Sequence, residues 1–416
     1  RGRAGGPGDR PPPMPASLHP PPRPLGQTEF VAMIAMLIAT IAFSIDAMLP
    51  ALPEIAAELT PASPNRAQLI ITSFVLGIGL GTLVAGPLSD SFGRRRVIVA
   101  GSVLYCLGAA AAWAAPTLDT VLAARIVKGL GAAAPRVVSL ALVRDIHSGR
   151  QMARVVSFAM MVFTLVPAAA PLLGSVIIAA AGWRAIFAAF IGFSILSVLW
   201  LTVRQPETLP PEARRPLGFA PLLAALREVL GHASVRRAIL VQALCFGALF
   251  GTLSSTQQIF DTTFGRGAEF PWWFALIALV AGSASLLNAS LVVRLGMRRM
   301  VIVTLAVQAA VSAAMAGMMV AGAWPPALAF PAYVVWTTSV FFMAGLTLGN
   351  LNAIALEPMG HVAGMAASVT GALATVAGVA LAAPLGLAFD GTPVPLALGI
   401  AVLTALGAVL MRGMAR

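Results

Sequence analysis

The chain has 416 residues, of which 59% are hydrophobic and only 10% are charged. A soluble domain carries about 25% charged residues, so this composition excludes an ordinary soluble protein and predicts a chain whose solvent is lipid. The formal net charge is +12.

Twelve apolar stretches are each long enough to cross a membrane. A span needs about 20 mostly apolar residues, and these runs are continuous and do not alternate with period two, which favours helices. Because the bilayer core offers no water, every backbone group needs an internal partner, as it has in a helix. The predicted spans are 29–50, 67–89, 97–115, 118–143, 152–181, 184–203, 235–260, 271–293, 298–321, 326–355, 361–388 and 393–412.

Two segments differ in composition from the spans. Residues 1–28 are rich in Pro, Gly and Arg and lack a hydrophobic period, which predicts a disordered N-terminal tail. Residues 204–234 contain several prolines and charges, which predicts a linker. The linker separates two halves of six spans, 29–203 and 235–412.

The second half repeats the first weakly. When Gly93 is aligned with Gly296, the loop after the second span of each half coincides. The aligned pairs then include Leu88 with Leu291, Arg95 with Arg298, and Arg96 with Arg299. Asp90 aligns with Val293, so the second copy lacks the acid.

The basic residues are distributed by side of the membrane. Every second loop and both flanks of the linker are rich in arginine, while the alternate loops are poor in it. By the positive-inside rule, both termini and the linker are predicted to be cytoplasmic. A nucleic-acid-binding protein would gather its basic residues on one soluble face, so no nucleic-acid partner is expected. The arginines of this side are Arg94, Arg95, Arg96, Arg144, Arg150, Arg154, Arg204, Arg214, Arg215, Arg227, Arg236, Arg237, Arg294, Arg298, Arg299, Arg412 and Arg416.

The sequence offers little support for an enzyme. It has no Walker loop and no Gly-x-Ser-x-Gly motif, and its four histidines lie in tails or loops without ligand spacing. The two cysteines, Cys106 and Cys245, fall inside apolar spans without disulfide or metal spacing. We therefore expect no enzyme activity, no metal and no cofactor.

Asp46 lies near the end of span 1. A carboxylate there costs several kcal/mol unless it is paired, hydrated or protonated, and this cost points to a function. Such a group can bind a proton from one side of the membrane and release it to the other. The alternative is that Asp46 lies at the aqueous boundary, because Pro50 and Pro53 follow closely.

Three cations lie inside span 4. Arg125 is about 9 Å below the outer surface at 1.5 Å per residue, a depth similar to that of Asp46, and Lys128 lies one turn below it. For Arg125 the alternatives are snorkelling to the interface or a structural pair with a carbonyl. Arg136 follows Pro135. Two interpretations are open for this residue: its side chain has a role in the cavity, or it extends to the cytoplasmic mouth of the protein.

The remaining cavity candidates are apolar and aromatic with a few amides, which suits bulky lipophilic substrates. Ordinary helix packing is the alternative for each of them. They are Met33, Phe43, Phe74, Phe163, Phe246 and Met343, with Gln242, Gln257 and Asn288 as polar groups.

The turn after span 2 reads Gly86-Pro-Leu-Ser-Asp90-Ser-Phe-Gly93-Arg94-Arg95-Arg96. Its pattern, Gly-x-Leu-x-Asp-x-x-Gly-Arg-Arg, resembles the loop between spans 2 and 3 of the major facilitator superfamily. The resemblance implies an all-α integral membrane protein with the major facilitator fold, whose twelve transmembrane helices form two six-helix halves around a central path. It also implies transport.

Further motifs resemble the Bcr/CflA drug-resistance branch of that superfamily. They are Asp46-Ala-Met-Leu-Pro-Ala-Leu-Pro, residues 124–133, Arg144-Asp145, and Pro167-Ala-Ala-Ala-Pro171-Leu-Leu-Gly174. This resemblance implies a monomeric antiporter of the bacterial inner membrane that exports lipophilic drugs by alternating access. The proton gradient would drive transport, so the resemblance implies no cofactor. The alternative is an exporter of a specific metabolite such as an amino acid or a sugar.

The same resemblance implies roles for individual residues. Asp46 would take up the proton and Arg125 would couple it to substrate. The substrate cavity that the residues themselves predict is lined by Asp46, Arg125, Lys128, Phe43, Phe163 and Gln242. Asp90 would cap the start of span 11 when the cytoplasmic side is shut, and Arg94 would pair with Asp145 in gating. Gly86, Gly93 and Arg95 belong to the same gating loop, and Pro167, Pro171 and Gly174 form the antiporter motif of span 5.

The chain departs from the branch at several positions. Ser91 replaces a frequent Arg, Ala170 replaces the Gly before Pro171, and Ile38 occupies the place of a second acid in some relatives. With one acid in the membrane, the proton stoichiometry and the export of dications are left open.

Overall fold

A computed structural model of the chain describes residues 25–214 and 216–414. This part of the chain folds into helices and contains no strand. The α-helices are α1 (Gln27–Asp46), α2 (Leu52–Leu59), α3 (Leu69–Phe92), α4 (Arg94–Ala114), α5 (Leu118–Ile146), α6 (Gly149–Ala181), α7 (Ala185–Arg204), α8 (Phe219–Gly231), α9 (Ala233–Gln258), α10 (Phe270–Leu295), α11 (Met297–Val320), α12 (Pro326–Leu356), α13 (Ala363–Leu387) and α14 (Val394–Arg412).

The number of spans agrees with the sequence. Within the described ranges, 11 stretches are long and apolar enough to cross a membrane, and the longest of them, Pro326–Leu387, contains both α12 and α13. All the α-helices except the short α2 and α8 therefore qualify as spans. The prediction of an all-α integral membrane protein with twelve transmembrane helices is confirmed.

Two helices were not predicted. The chain leaves α1 at Asp46, forms a 3-10 turn at Leu49–Ala51 and continues as α2, because Pro50 and Pro53 lack the backbone N–H that an uninterrupted helix needs. The second helix, α8, lies within the linker and packs against α9 and α13. Most of the predicted disordered tail lies outside the described residues, and residues 27 and 28 belong to α1.

The ends of the helices define two sides of the molecule. We call the side with the ends of α3, α5 and α7 and the starts of α4, α6 and α9 the arginine-rich side. The opposite side, with the start of α5 and the end of α13, is the arginine-poor side. The two halves meet along their spans where α3 packs against α13 and α6 against α10.

Glycines bring α5 into backbone contact with α3. A Cβ on Gly129 would lie 2.1 Å from the carbonyl oxygen of Phe74, and one on Gly77 would lie 2.2 Å from that of Ile126. Small residues allow such close helix approach in membranes. Because the two backbones touch, the rotation of α5 is fixed, and with it the direction in which its charged side chains point.

We predict that Gly129→Ala destabilises the protein. The added methyl group overlaps the backbone of α3, and overpacking of this kind costs about 1–3 kcal/mol. The melting temperature of the purified protein in detergent is expected to fall by several degrees. The matched control is Gly317→Ala on α11, where an added Cβ meets no heavy atom within 4 Å. Equal melting temperatures for the two variants would contradict this account of the packing.

Candidate functional site

Asp46 is the last residue of α1, and its side chain is buried, with 4% of the residue exposed. Among the described residues, none forms an ion pair or hydrogen bond with its carboxylate. The neighbouring helix α6 approaches closely, because a Cβ on Gly174 would lie 2.2 Å from the carbonyl oxygen of Ala47. The structure thus places the antiporter-motif glycine beside the end of α1. This burial disfavours the alternative that Asp46 lies at the aqueous boundary.

Arg125 is fully buried and joins three helices. Its Nε donates to the carbonyl oxygen of Ile70 on α3 at 3.1 Å, and its Nη1 and Nη2 donate to that of Ser44 on α1 at 3.3 and 3.4 Å. The guanidinium carbon also lies 4.7 Å from the centroid of the Phe74 ring. Arg125 therefore contacts α1 two residues before Asp46, through carbonyl oxygens and without an ion pair to that acid.

Lys128 is fully buried inside the first half, in a cage of four aromatic rings. Its Nζ lies 3.4 Å from the centroid of Phe190, 4.7 Å from Tyr105, 5.2 Å from Phe74 and 5.7 Å from Phe187. No described residue accepts a hydrogen bond from this amine. Cation–π attraction is the interaction that remains for an ammonium here. The cage is formed by α3, α4 and α7, so Lys128 points into the bundle of its own half.

The ring cage is linked to α1 by two contacts. The hydroxyl groups of Ser44 and Tyr105 are 2.5 Å apart, and the Phe43 ring packs edge-on against Phe190 with centroids 5.3 Å apart. The structure therefore brings Phe43, Lys128, Arg125 and the end of α1 into one region.

Two predicted cavity residues lie outside the region formed by the ring cage and the end of α1. Phe163 of α6 is half-buried and packs against a separate apolar cluster that includes Met33 and Leu37 of α1. Gln242 lies on α9 in the second half, where it is 5% exposed and its Oε1 has no hydrogen-bond partner among the described residues. The amide oxygen of Gln257, on the same helix, also has no hydrogen-bond partner among the described residues. The roles of Phe163 and Gln242 in a cavity remain predictions.

On the arginine-rich side, the gating-loop residues form a charged network. The Nε of Arg94 donates to Asp145 Oδ2 at 2.9 Å, and its Nη1 donates to Ser89 Oγ at 2.8 Å and also to Asp90 Oδ1. In this structure the Asp90 carboxylate pairs with Arg94, four residues further along the chain. The cap of span 11 by Asp90, expected when the cytoplasmic side is shut, remains a prediction. Gly86 does face that span, since its Cβ would lie 3.6 Å from Ser368 Oγ on α13.

Glu207 completes this network, and the sequence did not reveal it. Its Oε1 accepts a hydrogen bond from the backbone N–H of Arg94 at 2.8 Å, and its Oε2 accepts one from that of Arg95 at 3.2 Å. A carboxylate at this point caps the N-terminus of α4 and faces the positive end of its dipole. Gly93, with φ +99°, leaves room for it, because a Cβ there would lie 2.5 Å from Glu207 Oε2.

On the arginine-poor side, an amide clasp joins the two halves. We define it as Asn65 and Gln68 of the first half with Ser255 and Gln258 of the second. Gln68 Nε2 donates to Gln258 Oε1 at 2.5 Å, Gln258 Nε2 donates to Asn65 Oδ1 at 2.8 Å, and Ser255 Oγ donates to Gln68 Oε1 at 2.8 Å. The amide clasp contains no formal charge.

The end of α13 extends the amide clasp. Asn65 Nδ2 donates to the carbonyl oxygens of Leu387 at 3.1 Å and Phe389 at 2.8 Å. Gly386 permits the contact, because a Cβ there would lie 2.3 Å from Gln68 Oε1. These hydrogen bonds hold the halves together on the arginine-poor side.

Comparisons with known proteins agree with this fold. Residues 32–384 match the family model of the Major Facilitator Superfamily. A bicyclomycin resistance protein homolog from Haemophilus influenzae is 30% identical over 357 residues, covering 83% of this chain and 85% of the relative. Multidrug resistance protein D from Escherichia coli is 25% identical over 373 residues, covering 84% and 86%.

A solved structure shows the same fold at low sequence identity. The xylose transporter XylE from E. coli, in a partially occluded inward open conformation, has a TM-score of 0.70 and 13% identity, and the match covers 94% of this chain and 98% of that one. Since the family model matches most of the spans, the chain belongs to the major facilitator superfamily and is a multi-pass membrane transporter.

Proposed function

We propose that this protein is a proton-coupled antiporter that exports lipophilic drugs or similar small molecules across the bacterial cytoplasmic membrane by alternating access. The observation that carries the proposal is the buried carboxyl of Asp46, which has no partner in the described residues and adjoins the helix contact made by Arg125. Two relatives that match most of the chain are named as resistance proteins, which supports drugs as the substrates.

Asp46 is the proposed proton carrier. A carboxyl without a permanent partner can alternate between its charged and neutral forms, whereas an ion-paired one is held in the charged form. Proton binding removes a charge from the end of α1, and the free energy of that helix in its apolar surroundings changes accordingly. If proton and substrate each weaken the binding of the other, each promotes the release of the other, and this is the coupling that exchange requires.

Arg125 is the proposed coupling residue. Its guanidinium contacts the carbonyl oxygens of Ser44 on α1 and Ile70 on α3. A change of charge at Asp46 alters the electrostatic force on this guanidinium, and because the donors of Arg125 are divided between two helices, the force is passed to both of them.

The two sides of the molecule are the proposed gates. The amide clasp closes the arginine-poor side, and the network around Arg94 and Glu207 stabilises the loop on the arginine-rich side. By the positive-inside rule, we take the arginine-rich side as cytoplasmic, with both termini and the linker there. We propose a monomer, with lipid, drugs and protons as its partners.

A second candidate is the export of a polar metabolite. The buried amide oxygens of Gln242 and Gln257 have no described partner and could accept hydrogen bonds from a sugar or an amino acid. Overproduction in a pump-deficient host, followed by growth on a drug panel and assays of amino-acid and sugar efflux, separates the two functions. Resistance to several unrelated lipophilic drugs supports the first, and efflux of one metabolite without resistance supports the second.

We predict that Asp46→Asn abolishes the dependence of drug efflux on the proton gradient. The amide keeps the shape of the side chain but cannot bind and release a proton, so gradient-driven efflux is expected to fall at least tenfold in proteoliposomes. Expression and melting temperature are expected to stay near those of the wild type. The control is Asp119→Asn, an exposed acid that pairs with Arg66 on the arginine-poor side. Wild-type coupling in the Asp46 variant would assign proton transfer to another group.

We predict that Arg125→Lys does not rescue transport. Lysine keeps the charge, but a single ammonium cannot reproduce the planar set of donors that contacts both Ser44 and Ile70. Efflux is expected to drop more than tenfold while equilibrium drug binding changes only a few-fold. Arg144→Lys, at the exposed end of the same helix, serves as the control. Full activity of the Arg125 variant would reduce this residue to a generic charge.

We predict that the two gates shift the conformation in opposite directions. Asp90→Ala removes the carboxylate expected to cap the start of span 11 when the arginine-rich side is shut, a contact worth roughly 0.3–1 kcal/mol and up to about 2 when partly buried, and is therefore expected to favour the state in which that side is open. Gln258→Ala breaks two hydrogen bonds of the amide clasp, each worth about 0.5–1.5 kcal/mol, and is expected to open the arginine-poor side.

The measurement is the labelling of single cysteines introduced on each side, in a background without Cys106 and Cys245, together with equilibrium drug binding. Each variant should change the labelling of the two sides several-fold, in opposite senses, with drug affinity little changed. Unshifted labelling, or a large loss of affinity without a shift, contradicts the gating roles.

A further inference from the structure

The charged residues inside the membrane spans all belong to the first half. They are Asp46 on α1 and Arg125, Lys128 and Arg136 on α5. In the second half, residues 238–260, 270–293, 300–356 and 363–389 contain no Asp, Glu, Lys or Arg, and 391–411 contain none either. Three cations and one acid give the interior a formal charge of +2, and of +3 when Asp46 is protonated.

No described carboxylate neutralises these cations. The ion pairs of the described residues involve other arginines and a histidine, all at helix ends or in loops. Arg125 is held by carbonyl oxygens and Lys128 by aromatic rings, and both are fully buried. Arg125 is a fixed positive charge, because a guanidinium is effectively always protonated.

Arg136 differs from the other two because solvent reaches it. It is exposed, although Ala132 and Ser139, which lie one helical turn before and after it on α5, are fully buried. Both properties hold for a side chain that lines a water-filled cleft between helices. A lipid-facing position is excluded by the energetic cost of a guanidinium in hydrocarbon.

The position of Arg136 places it on the route from the arginine-rich side. It follows Arg125 by about three helical turns, so the two residues share a face of α5 at roughly 16 Å separation. Since the amide clasp closes the other side, the cleft that exposes Arg136 opens towards the arginine-rich side.

We infer that this positive path selects anionic and neutral lipophilic substrates against cations, and that Arg136 is the residue that binds the anionic group. The inference rests on the proposed transport function and names its substrate class. A guanidinium in a cleft with walls of low dielectric constant focuses its field on the entering molecule. It forms charge-assisted, bidentate hydrogen bonds with a carboxylate, sulfonate or phosphate. A lipophilic cation meets the guanidinium groups of Arg136 and Arg125 and only one acid, which proton binding neutralises.

The test compares two dyes that share a xanthene ring but differ in charge. Fluorescein is anionic and rhodamine 123 is cationic. Binding of each to the purified full-length protein in detergent is followed by fluorescence polarisation. Fluorescein is expected to bind at least tenfold more tightly than rhodamine 123. Arg136→Gln should weaken fluorescein binding about tenfold and leave rhodamine 123 binding unchanged or tighter, while Arg136→Lys should retain most of the preference.

The matched control is Arg144→Gln, which removes the same charge from the exposed end of α5 and should leave both affinities unchanged. Melting temperatures of all variants show whether the fold is kept. Equal or tighter binding of rhodamine 123 by the wild type overturns the inference. So does an absence of fluorescein binding, or an effect of Arg136→Gln no larger than that of Arg144→Gln.

A second experiment distinguishes failure of the proposed antiport from failure of the charge selection. Efflux of fluorescein, of rhodamine 123 and of a neutral drug is measured in proteoliposomes with and without a proton gradient. Selective binding of fluorescein without gradient-dependent efflux of any of the three compounds overturns the antiport and leaves the charge selection standing. Gradient-driven efflux of rhodamine 123 in preference to fluorescein overturns the charge selection and leaves the antiport standing.

Discussion

The guanidinium of Arg125 is the interaction on which the first half depends. Burying a guanidinium in an apolar interior is costly unless it is hydrogen-bonded, and here each of its three nitrogen atoms donates to the carbonyl oxygen of Ser44 or Ile70. Those two carbonyls belong to different helices, so their separation is fixed by one side chain. The glycines that join α3 to α5 make this geometry possible, because a bulkier interface would hold the guanidinium away from Ile70.

The two proposed gates use different chemistry. The network around Arg94 is charged and adjoins water, so salt screens it. The amide clasp is neutral, and neither salt nor pH changes its hydrogen bonds directly. Conditions that alter the ionic strength on both sides of the membrane therefore act mainly on the arginine-rich side. The conformational balance of this transporter should respond to ionic strength through one gate.

The sequence predicted the spans well, because lipid imposes long apolar runs and the observed helix ends lie within a few residues of the predicted ones. It also located Asp46 and Arg125, because charge inside such runs is rare. It could not find Glu207, whose contact with Arg94 joins residues 113 positions apart without a local pattern. The amide clasp was missed because Asn65 and Gln258 carry no charge to distinguish them. The ring cage of Lys128 could not be predicted because it depends on the rotation of α5. That rotation is set by the close backbone contacts at Gly77 and Gly129.

The cap that Glu207 places on α4 also determines how far the halves can move apart. The linker leaves α7 at Arg204, but its first residues are bound to the first half through Glu207 and Thr208. At its other end, α8 is packed on α9 and α13 of the second half. The tether that remains runs from Leu209 to Phe219, about ten residues with a reach of at most roughly 35 Å when fully extended. The length of this free part of the linker therefore limits the amplitude of any rocking motion between the halves.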